Sequence, residues 1–328
     1  MQEKEARSQV VQAGRQLLEQ GLVARTWGNV SCKVDEEHFI ITPSGLSYQQ
    51  TLEEDLVLYD RTNGQWEGQR KPSSEKKIHA CAYEMFPDTG FVIHTHQTHA
   101  SAPGLSGAMN MDITEEEKQR LGGIAVAAYG LPGTKKLQKA VAKAMSTGAH
   151  TIFLIHHGVV ICGKDKADAY EKAALLEEVC KRNCRGQDPE AAGKSEKALR
   201  EVKEQLEPAG FGYELVQSAP VVQVANTGVL VARLDDMAQM MGQKVPVAPA
   251  REVTSMLQEH PAVLIPGVGA VVHGQDEEDT HALALLMEKS CICALHTRAQ
   301  GEKKTLGRLD CFLMHLIYQK KYSKKKNR

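Results

Sequence analysis

The sequence has no long hydrophobic run and no pattern typical of export. None of its apolar stretches approaches the roughly 18 residues that a membrane-spanning helix requires. The opening MQEKEARSQVVQAGRQLLEQ is charged and helix-like, without the apolar segment of a secretory signal. The eight cysteines form no Cys-x-x-Cys pair, and several, such as Cys162 and Cys291, stand in apolar segments as small hydrophobes. We therefore expect a cytoplasmic protein without a disulfide framework or a membrane span.

The sequence also lacks an excess of charge of either sign. Its 40 lysines and arginines balance 41 aspartates and glutamates, for a formal net charge of −1. This balance gives no electrostatic basis for binding nucleic acid or a membrane surface, so we expect neither as a partner. The composition, 42% hydrophobic and 25% charged, is that of a globular protein. A chain of 328 residues suffices for one large domain or two of ordinary size.

The order of apolar segments predicts an α/β protein with an internal repeat. Amphipathic helices and short apolar strands alternate through the first half of the chain. The stretch HTIFLIHHGVVICGKDKADAY is echoed later by HPAVLIPGVGAVVHGQDEEDT. Residues 188–208 are polar, and helical in their second part, and are interpreted as a connector. We predict an α/β domain over 1–187 and a truncated, degenerate copy of it over 209–328.

The second copy is expected to lack the histidines of the first. We interpret ELVQSAPVVQVANTG as the counterpart of the apolar strand that ends in FVIHTH. The comparison sets three pairs of residues opposite each other: His94 and Gln223, His96 and Ala225, and His157 and Val268. The second copy would then keep the scaffold without the chemistry.

Histidines cluster at the ends of two predicted strands. In FVIHTHQTHASA, residues 91–102, His94 and His96 can reach one ion because residues i and i+2 of a strand face the same side. The alternative is that they are hydrogen-bonded histidines at a strand end. Two more histidines end another strand in IHHG, and Glu75 follows two serines at a predicted helix start. One glutamate and three histidines form a donor set that suits zinc.

Three short stretches rich in glycine, serine and asparagine, WGNVS, TPSG and PSSE, mark turns and helix starts. Taken alone, PSSE is most often a helix cap and GN a turn. Taken together, serine hydroxyls and backbone N–H groups at a helix N-terminus can bind a phosphate. Gly28 and Gly45 would let the backbone approach that phosphate closely.

The motifs TWGNVSCK, ITPSGLSY, KPSSEKKIH, FVIHTHQTHASA and LIHHGVV resemble, in order, those of the class II aldolase/adducin family, over roughly residues 1–185. The resemblance implies an α/β/α layered fold around a mixed, mainly antiparallel sheet. It also implies a homo-oligomer, with the active site at a subunit boundary. The zinc ligands that it implies are Glu75, His94, His96 and His157. The phosphate-binding residues that it implies are Gly28, Asn29, Ser44, Gly45, Ser73 and Ser74.

The resemblance further implies a zinc-dependent aldolase that cleaves a phosphorylated ketose through an enediolate held at the metal. Glu75 would first be a ligand and then, displaced by substrate, a general base. His79, one helical turn after Glu75, is interpreted as a supporting or packing residue rather than a ligand. The role of His99 stays open.

One part of the family pattern is absent. Aldolases of the family use a tyrosine from a neighbouring subunit as proton donor, where this sequence reads MNMDITEEEKQRLGG. We interpret ITEEE as a capped helix start rather than a source of a catalytic acid, and Tyr213 is another candidate donor. Without that tyrosine, a metal-dependent epimerase, decarboxylase or dehydratase is an alternative. A non-catalytic, adducin-like scaffold is another.

Overall fold

The computed structural model describes residues 1–108, 110–210, 212–301 and 305–325. The chain divides into two units, Met1–Asn183 and Cys184–Arg328. None of the helices within the described ranges combines the length and the apolar character that crossing a bilayer demands.

In the described part of the first unit, four strands follow the first helix, and further helices and strands come after them. The helices are α1 Glu3–Glu19, α2 Lys76–Met85, α3 Ser101–Leu105, α4 Glu115–Arg120, α5 Lys135–Met145 and α6 Lys166–Asn183. The strands are β1 Asn29–Lys33, β2 His38–Ile41, β3 Val57–Asp60, β4 Trp66–Glu67, β5 Phe91–Thr95, β6 Ile124–Ala127, β7 Thr151–Leu154 and β8 Gly158–Gly163. The sheet order is β4-β3-β2-β1-β5-β8-β7-β6, and neighbours pair antiparallel except β6 with β7. The predicted mixed, mainly antiparallel sheet is confirmed.

Side chains of the central strand β5 alternate between two hydrophobic layers. Phe91 and Ile93 join a buried cluster with residues of α1 and α6, while Val92 joins a second cluster with residues of α2 and α5. The predicted α/β/α layering is thereby confirmed. Because the side-chain period of a strand is two, His94 lies on the same side as Val92, toward α2.

The second unit is built around a smaller sheet. Within its described residues the helices are α7 Glu196–Leu206, α8 Ala219–Thr227, α9 Asp235–Met241, α10 Val253–Glu259, α11 Glu277–Ala299 and α12 Arg308–Lys325. The strands are β9 Glu214–Val216, β10 Leu230–Val231, β11 Lys244–Val245, β12 Ala262–Ile265 and β13 Gly269–Val272. Strands β12, β13 and β9 form an antiparallel sheet in that order, and β10 pairs with β11.

The segment predicted as a connector contributes to the core of the second unit. Its second part forms α7, whose Val202 and Leu206 are buried in one cluster with Val253 and Ile265. Helix α7 therefore packs as an element of that unit.

The segment ELVQSAPVVQVANTG, predicted as the counterpart of the histidine strand, is a strand only at Glu214–Val216. The prediction is wrong for the rest of the segment. Gln223 and Ala225 lie on helix α8, which follows Ser218 and has Pro220 in its first turn. They therefore cannot stand opposite His94 and His96. The error arose because a short apolar run such as PVVQVA fits a buried strand and a buried helix equally well.

Candidate metal centre

Three elements of the first unit bring the predicted ligands together. His94 lies on β5 and His96 just beyond its end, while His157 lies in the turn between β7 and β8. Because β5 pairs with β8, the end of β5 lies beside this turn. Glu75 is the N-cap residue of α2, on the side of the sheet that His94 faces. All four side chains are buried.

The donor atoms of these side chains converge on one small volume. Nε2 of His94 is 3.1 Å from Nε2 of His157 and 3.1 Å from Nε2 of His96. The Glu75 carboxylate oxygens are 3.0 Å from Nε2 of His157 and 3.3 Å from Nε2 of His94. Donors around a tetrahedral zinc ion, at metal–ligand distances of 2.0–2.1 Å, are separated by about 3.3 Å. These four contacts are within a few tenths of an ångström of that separation, so the arrangement suits a divalent metal ion.

The ligand atoms of His94, His96 and His157 all lie within 4.8 Å of one another, close enough to share a metal ion. Nδ1 of His94 donates a hydrogen bond to the Val159 carbonyl at 2.9 Å. In the neutral ring this fixes the proton on Nδ1 and leaves the lone pair of Nε2 facing the other donors, as a metal ligand requires.

The electrostatics of the site suit a metal ligand set. Burial, together with the nearby His157 imidazole, lowers the pKa of His94 to about 4 despite the facing Glu75, so the ring is neutral at pH 7. Burial alone would raise the pKa of the Glu75 carboxyl. The His94 and His157 imidazoles and a hydrogen bond from Asn29 outweigh that effect and hold this pKa well below its usual range.

Two aromatic contacts at the site were not predicted from the sequence. The Trp27 ring stacks on His96, with centroids 6.2 Å apart. Tyr129, in the loop after β6, meets the ring of His156 edge-on at 5.2 Å. His156 itself has a φ of 68°, in the left-handed region that few non-glycine residues adopt. No spacing in the sequence indicates these contacts, since each joins residues from distant segments.

The two predicted phosphate loops lie side by side. The backbones of Pro43 and Pro72 form an antiparallel bridge, with Ser44 N–H donating to the Lys71 carbonyl and Ser73 N–H donating to the Thr42 carbonyl. The exposed residues of the predicted set are Ser44, Gly45 and Ser74. Ser73 is buried, and its hydroxyl accepts a hydrogen bond from the backbone N–H of Glu75 at 3.2 Å.

Gly28 and Asn29 pack directly against residues of the candidate metal centre. A Cβ atom added at Gly28 would lie 2.3 Å from the His94 carbonyl oxygen, so this position needs glycine for close packing of β1 on β5. The Asn29 amide donates to Glu75 Oε2 at 3.0 Å and accepts a hydrogen bond from His79.

The interpretation of ITEEE as a helix start is confirmed. Thr114 caps α4 and exchanges hydrogen bonds with Glu117 in a capping box, and Glu117 also pairs with Arg182 at 2.5 Å. Tyr213 packs against the buried cluster of the second unit. His99 pairs with Glu177 of α6 through an Nδ1–Oε1 contact of 2.9 Å.

This geometry agrees with a known protein family. Residues 8–184 match the family model described as Class II Aldolase and Adducin N-terminal domain. The chain belongs to this family. The resemblance predicted from the five motifs is thereby confirmed.

Two solved structures of this fold resemble the chain. An L-fuculose 1-phosphate aldolase is 30% identical, with a TM-score of 0.51, over 55% of this chain and 85% of the aldolase. YgbL from Klebsiella pneumoniae is 25% identical, with a TM-score of 0.50, over 56% of this chain and 89% of YgbL. The description of YgbL leaves its activity open among aldolase, epimerase and decarboxylase.

Proposed function

We propose that the protein is a zinc-dependent aldolase that cleaves a phosphorylated ketose. The observation that carries this proposal is the convergence of Glu75, His94, His96 and His157, whose donor atoms are linked by four contacts of 3.0–3.3 Å. Three imidazoles and one carboxylate favour zinc among the divalent ions available to proteins. The similarity to an L-fuculose 1-phosphate aldolase supports the reaction class.

The substrate phosphate would bind at the paired loops. Ser44, Gly45 and Ser74 are exposed where the two loops meet the N-terminus of α2, whose dipole favours an anion. Ser73, Asn29 and Gly28 would complete the set, as the family resemblance implies. Glu75 is the residue next to Ser74, so a phosphate held there would place the rest of a small sugar beside the four donors.

A bound zinc ion would act as a Lewis acid on substrate oxygen atoms. The chain's own base would be Glu75. Where it lies, with its pKa held well below the usual range by His94 and His157, the carboxylate is a weak base. If substrate displaced Glu75 from these imidazoles, burial would become the dominant influence on the pKa of its carboxyl. Its pKa would then rise, which suits a group that must accept a proton.

The proposal is tested by incubating the zinc-loaded protein with a panel of ketose and aldose phosphates and following the phosphorus signals by NMR. Cleavage into a phosphorylated ketone and an aldehyde is expected, and Glu75→Gln should reduce the rate by at least 100-fold because it removes the base. A zinc-loaded protein that splits no member of the panel would contradict the aldolase assignment.

A second candidate is an epimerase, decarboxylase or dehydratase built on the same metal site. It is favoured by the observation that the ITEEE segment offers a capped helix instead of the family's tyrosine, and by the similarity to YgbL. The same panel separates epimerisation, which keeps the substrate mass, from dehydration, which removes water. Phosphorylated sugar acids added to the panel test decarboxylation, which releases carbon dioxide. An adducin-like scaffold would bind no catalytic metal.

We propose further that the second unit is a truncated copy of the first without metal ligands. A Cβ added at Gly158 would lie 2.3 Å from the Thr95 carbonyl oxygen. One added at Gly269 would lie at the same distance from the Val216 carbonyl oxygen. When Gly269 is laid on Gly158, the paired strands place other residues opposite the three histidines. These pairs are Leu215 and His94, Gln217 and His96, and Val268 and His157.

Hydrogen bonds at the start of the following helix support the copy. The backbone N–H of Lys164 donates to Asp168, and that of Gln275 donates to Asp279, each four residues on. Gln275 follows Lys164 by 111 residues, and Asp279 follows Asp168 by 111 residues. Gly269 follows Gly158 by the same number. The predicted boundaries, 1–187 and 209–328 around a connector, are part of this proposal. A homo-oligomer is proposed from the family resemblance, and light scattering of the full chain tests it.

A further inference from the structure

A row of polar side chains on helix α2 faces a row on strand β1. Glu75, His79 and Tyr83 are four residues apart, so they lie along one side of the helix at about 6 Å intervals. Asn29 and Ser31 are two residues apart on β1, at intervals of about 6.8 Å. The two repeats nearly match, so the rows can interlock over this length. His79 and Ser31 are fully buried, and Asn29 and Tyr83 nearly so.

The rows form one continuous chain of hydrogen bonds that ends at the metal centre. The Tyr83 hydroxyl is 2.7 Å from Ser31 Oγ, which is 2.6 Å from His79 Nδ1. His79 Nε2 contacts Asn29 Oδ1, and Asn29 Nδ2 is 3.0 Å from Glu75 Oε2.

The carboxylate at the end of this chain fixes every proton in it. An ionised Glu75 only accepts, so Asn29 presents its NH₂ group to Glu75 and its carbonyl oxygen to His79. His79 must then donate from Nε2 and, as a neutral ring, accept at Nδ1 from the Ser31 hydroxyl. Ser31 in turn accepts from Tyr83. Burial lowers the pKa of His79 to about 3, which agrees with a neutral ring.

We infer that His79 is a positioning residue for Glu75: its Nε2–H orients the Asn29 amide, which aims the Glu75 carboxylate at His94 and His157. This role rests on the proposed function, because it concerns the carboxylate of the proposed metal site. All the donors in the chain point toward Glu75, so their dipoles reinforce one another. Asparagine has no proton that it readily passes on, so the chain orients the carboxylate and does not carry a proton away from it.

Three variants of the full chain test this role. His79→Leu removes the donor and keeps the bulk, whereas His79→Gln keeps an N–H near the Nε2 position. Thr151→Val is the matched control, because it removes a buried hydrogen bond, from Thr151 Oγ1 to the Leu121 carbonyl at 2.8 Å, that is not part of this chain. Zinc affinity is measured by chelator competition, and the coordination by the visible absorption of the cobalt-loaded protein.

We expect His79→Leu to weaken zinc binding by about tenfold or more and to shift the cobalt absorption. His79→Gln should recover most of the affinity, and Thr151→Val should match the wild type. If His79→Leu behaves like Thr151→Val while the wild type binds zinc, the positioning role is wrong and the proposed function stands. If the wild type binds no divalent metal, both are wrong.

A second readout needs no metal. Nitrogen-15 NMR of the histidine rings, with the His79 signal assigned by its absence in His79→Gln, reports the proton position directly. The inference requires a neutral His79 with the proton on Nε2 at pH 7. A proton on Nδ1, or a charged ring, would overturn it.

Discussion

Gly28→Ala should damage the protein far more than Gly45→Ala, although both glycines have nearly the same backbone conformation. Gly28 has a φ of 74° and Gly45 a φ of 75°. The left-handed conformation costs an alanine about 1–2 kcal/mol at either position. The surroundings differ, because an added Cβ at Gly45 meets open space while one at Gly28 lies 2.3 Å from the His94 carbonyl oxygen.

The magnitude follows from this overlap. A carbon and a carbonyl oxygen in contact are separated by about 3.3 Å, so β1 and β5 must move apart by about 1 Å at this point. Overpacking of this kind costs about 1–3 kcal/mol. Gly28→Ala should therefore lower the free energy of unfolding by about 2–5 kcal/mol, and Gly45→Ala by about 1–2 kcal/mol. A shift of His94 also exceeds the 0.2 Å or so that metal coordination tolerates, so zinc affinity should fall at least tenfold in Gly28→Ala.

The chain offers a convenient assay for the first unit. Both of its tryptophans, Trp27 and Trp66, belong to Met1–Asn183. Urea unfolding of the full chain, followed by tryptophan fluorescence, thus reports on that unit alone. If the variants keep the slope of the free energy of unfolding against urea concentration, the shift in the urea midpoint gives the change in stability. Equal stability and equal zinc affinity of the two variants would refute the argument that Gly28 is required by the approach of β1 to His94.

Three further predictions concern the same unit. His156 has a φ of 68°, which asparagine tolerates, so His156→Asn should stay within about 0.5 kcal/mol of the wild type while His156→Val loses about 1–3 kcal/mol in the urea assay; equal losses would contradict this strain. The pKa of His79 is lowered to about 3 from 6.5, so only the unfolded chain gains this proton on mild acidification. Between pH 6.5 and 5.5 the wild type should therefore lose about 1 kcal/mol more stability than His79→Gln, and parallel pH profiles would count against a neutral buried ring. Free zinc at 100 times its dissociation constant should stabilise the wild type by about 2.7 kcal/mol, and a thermal scan in which a chelator changes nothing would contradict a native-state metal site.

The convergence of the ligands could be predicted because local rules decide it. The strand period puts His94 and His96 beside each other, and the turn between β7 and β8 sets His157 beside the end of β5. Such rules cannot show which helix covers which face of the sheet. The spacing of Glu75, His79 and Tyr83 was visible in the sequence. That this row of side chains faces Asn29 and Ser31 of β1 could not be predicted without knowing the order of the strands in the sheet.

The second unit shows where periodicity fails. The run PVVQVA is almost wholly apolar, as in a buried strand, yet it lies in helix α8. Pro220 is tolerated in the first turn because it loses no helical hydrogen bond there. The stacking of Trp27 on His96 and the left-handed His156 were equally out of reach. The stacking depends on how distant segments meet, and neither feature leaves a pattern in the local sequence.

The metal content per chain, by elemental analysis of protein purified without chelator and of the His94→Ala/His96→Ala variant, decides whether this site is a metal centre. We predict one zinc ion per wild-type chain and none in the variant, because the first unit brings the four ligands together and the proposed copy has Leu215, Gln217 and Val268 instead. A wild type that stays free of divalent metal after reconstitution would contradict the metal centre. Two ions per chain, or an ion retained by the variant, would contradict its assignment to these residues.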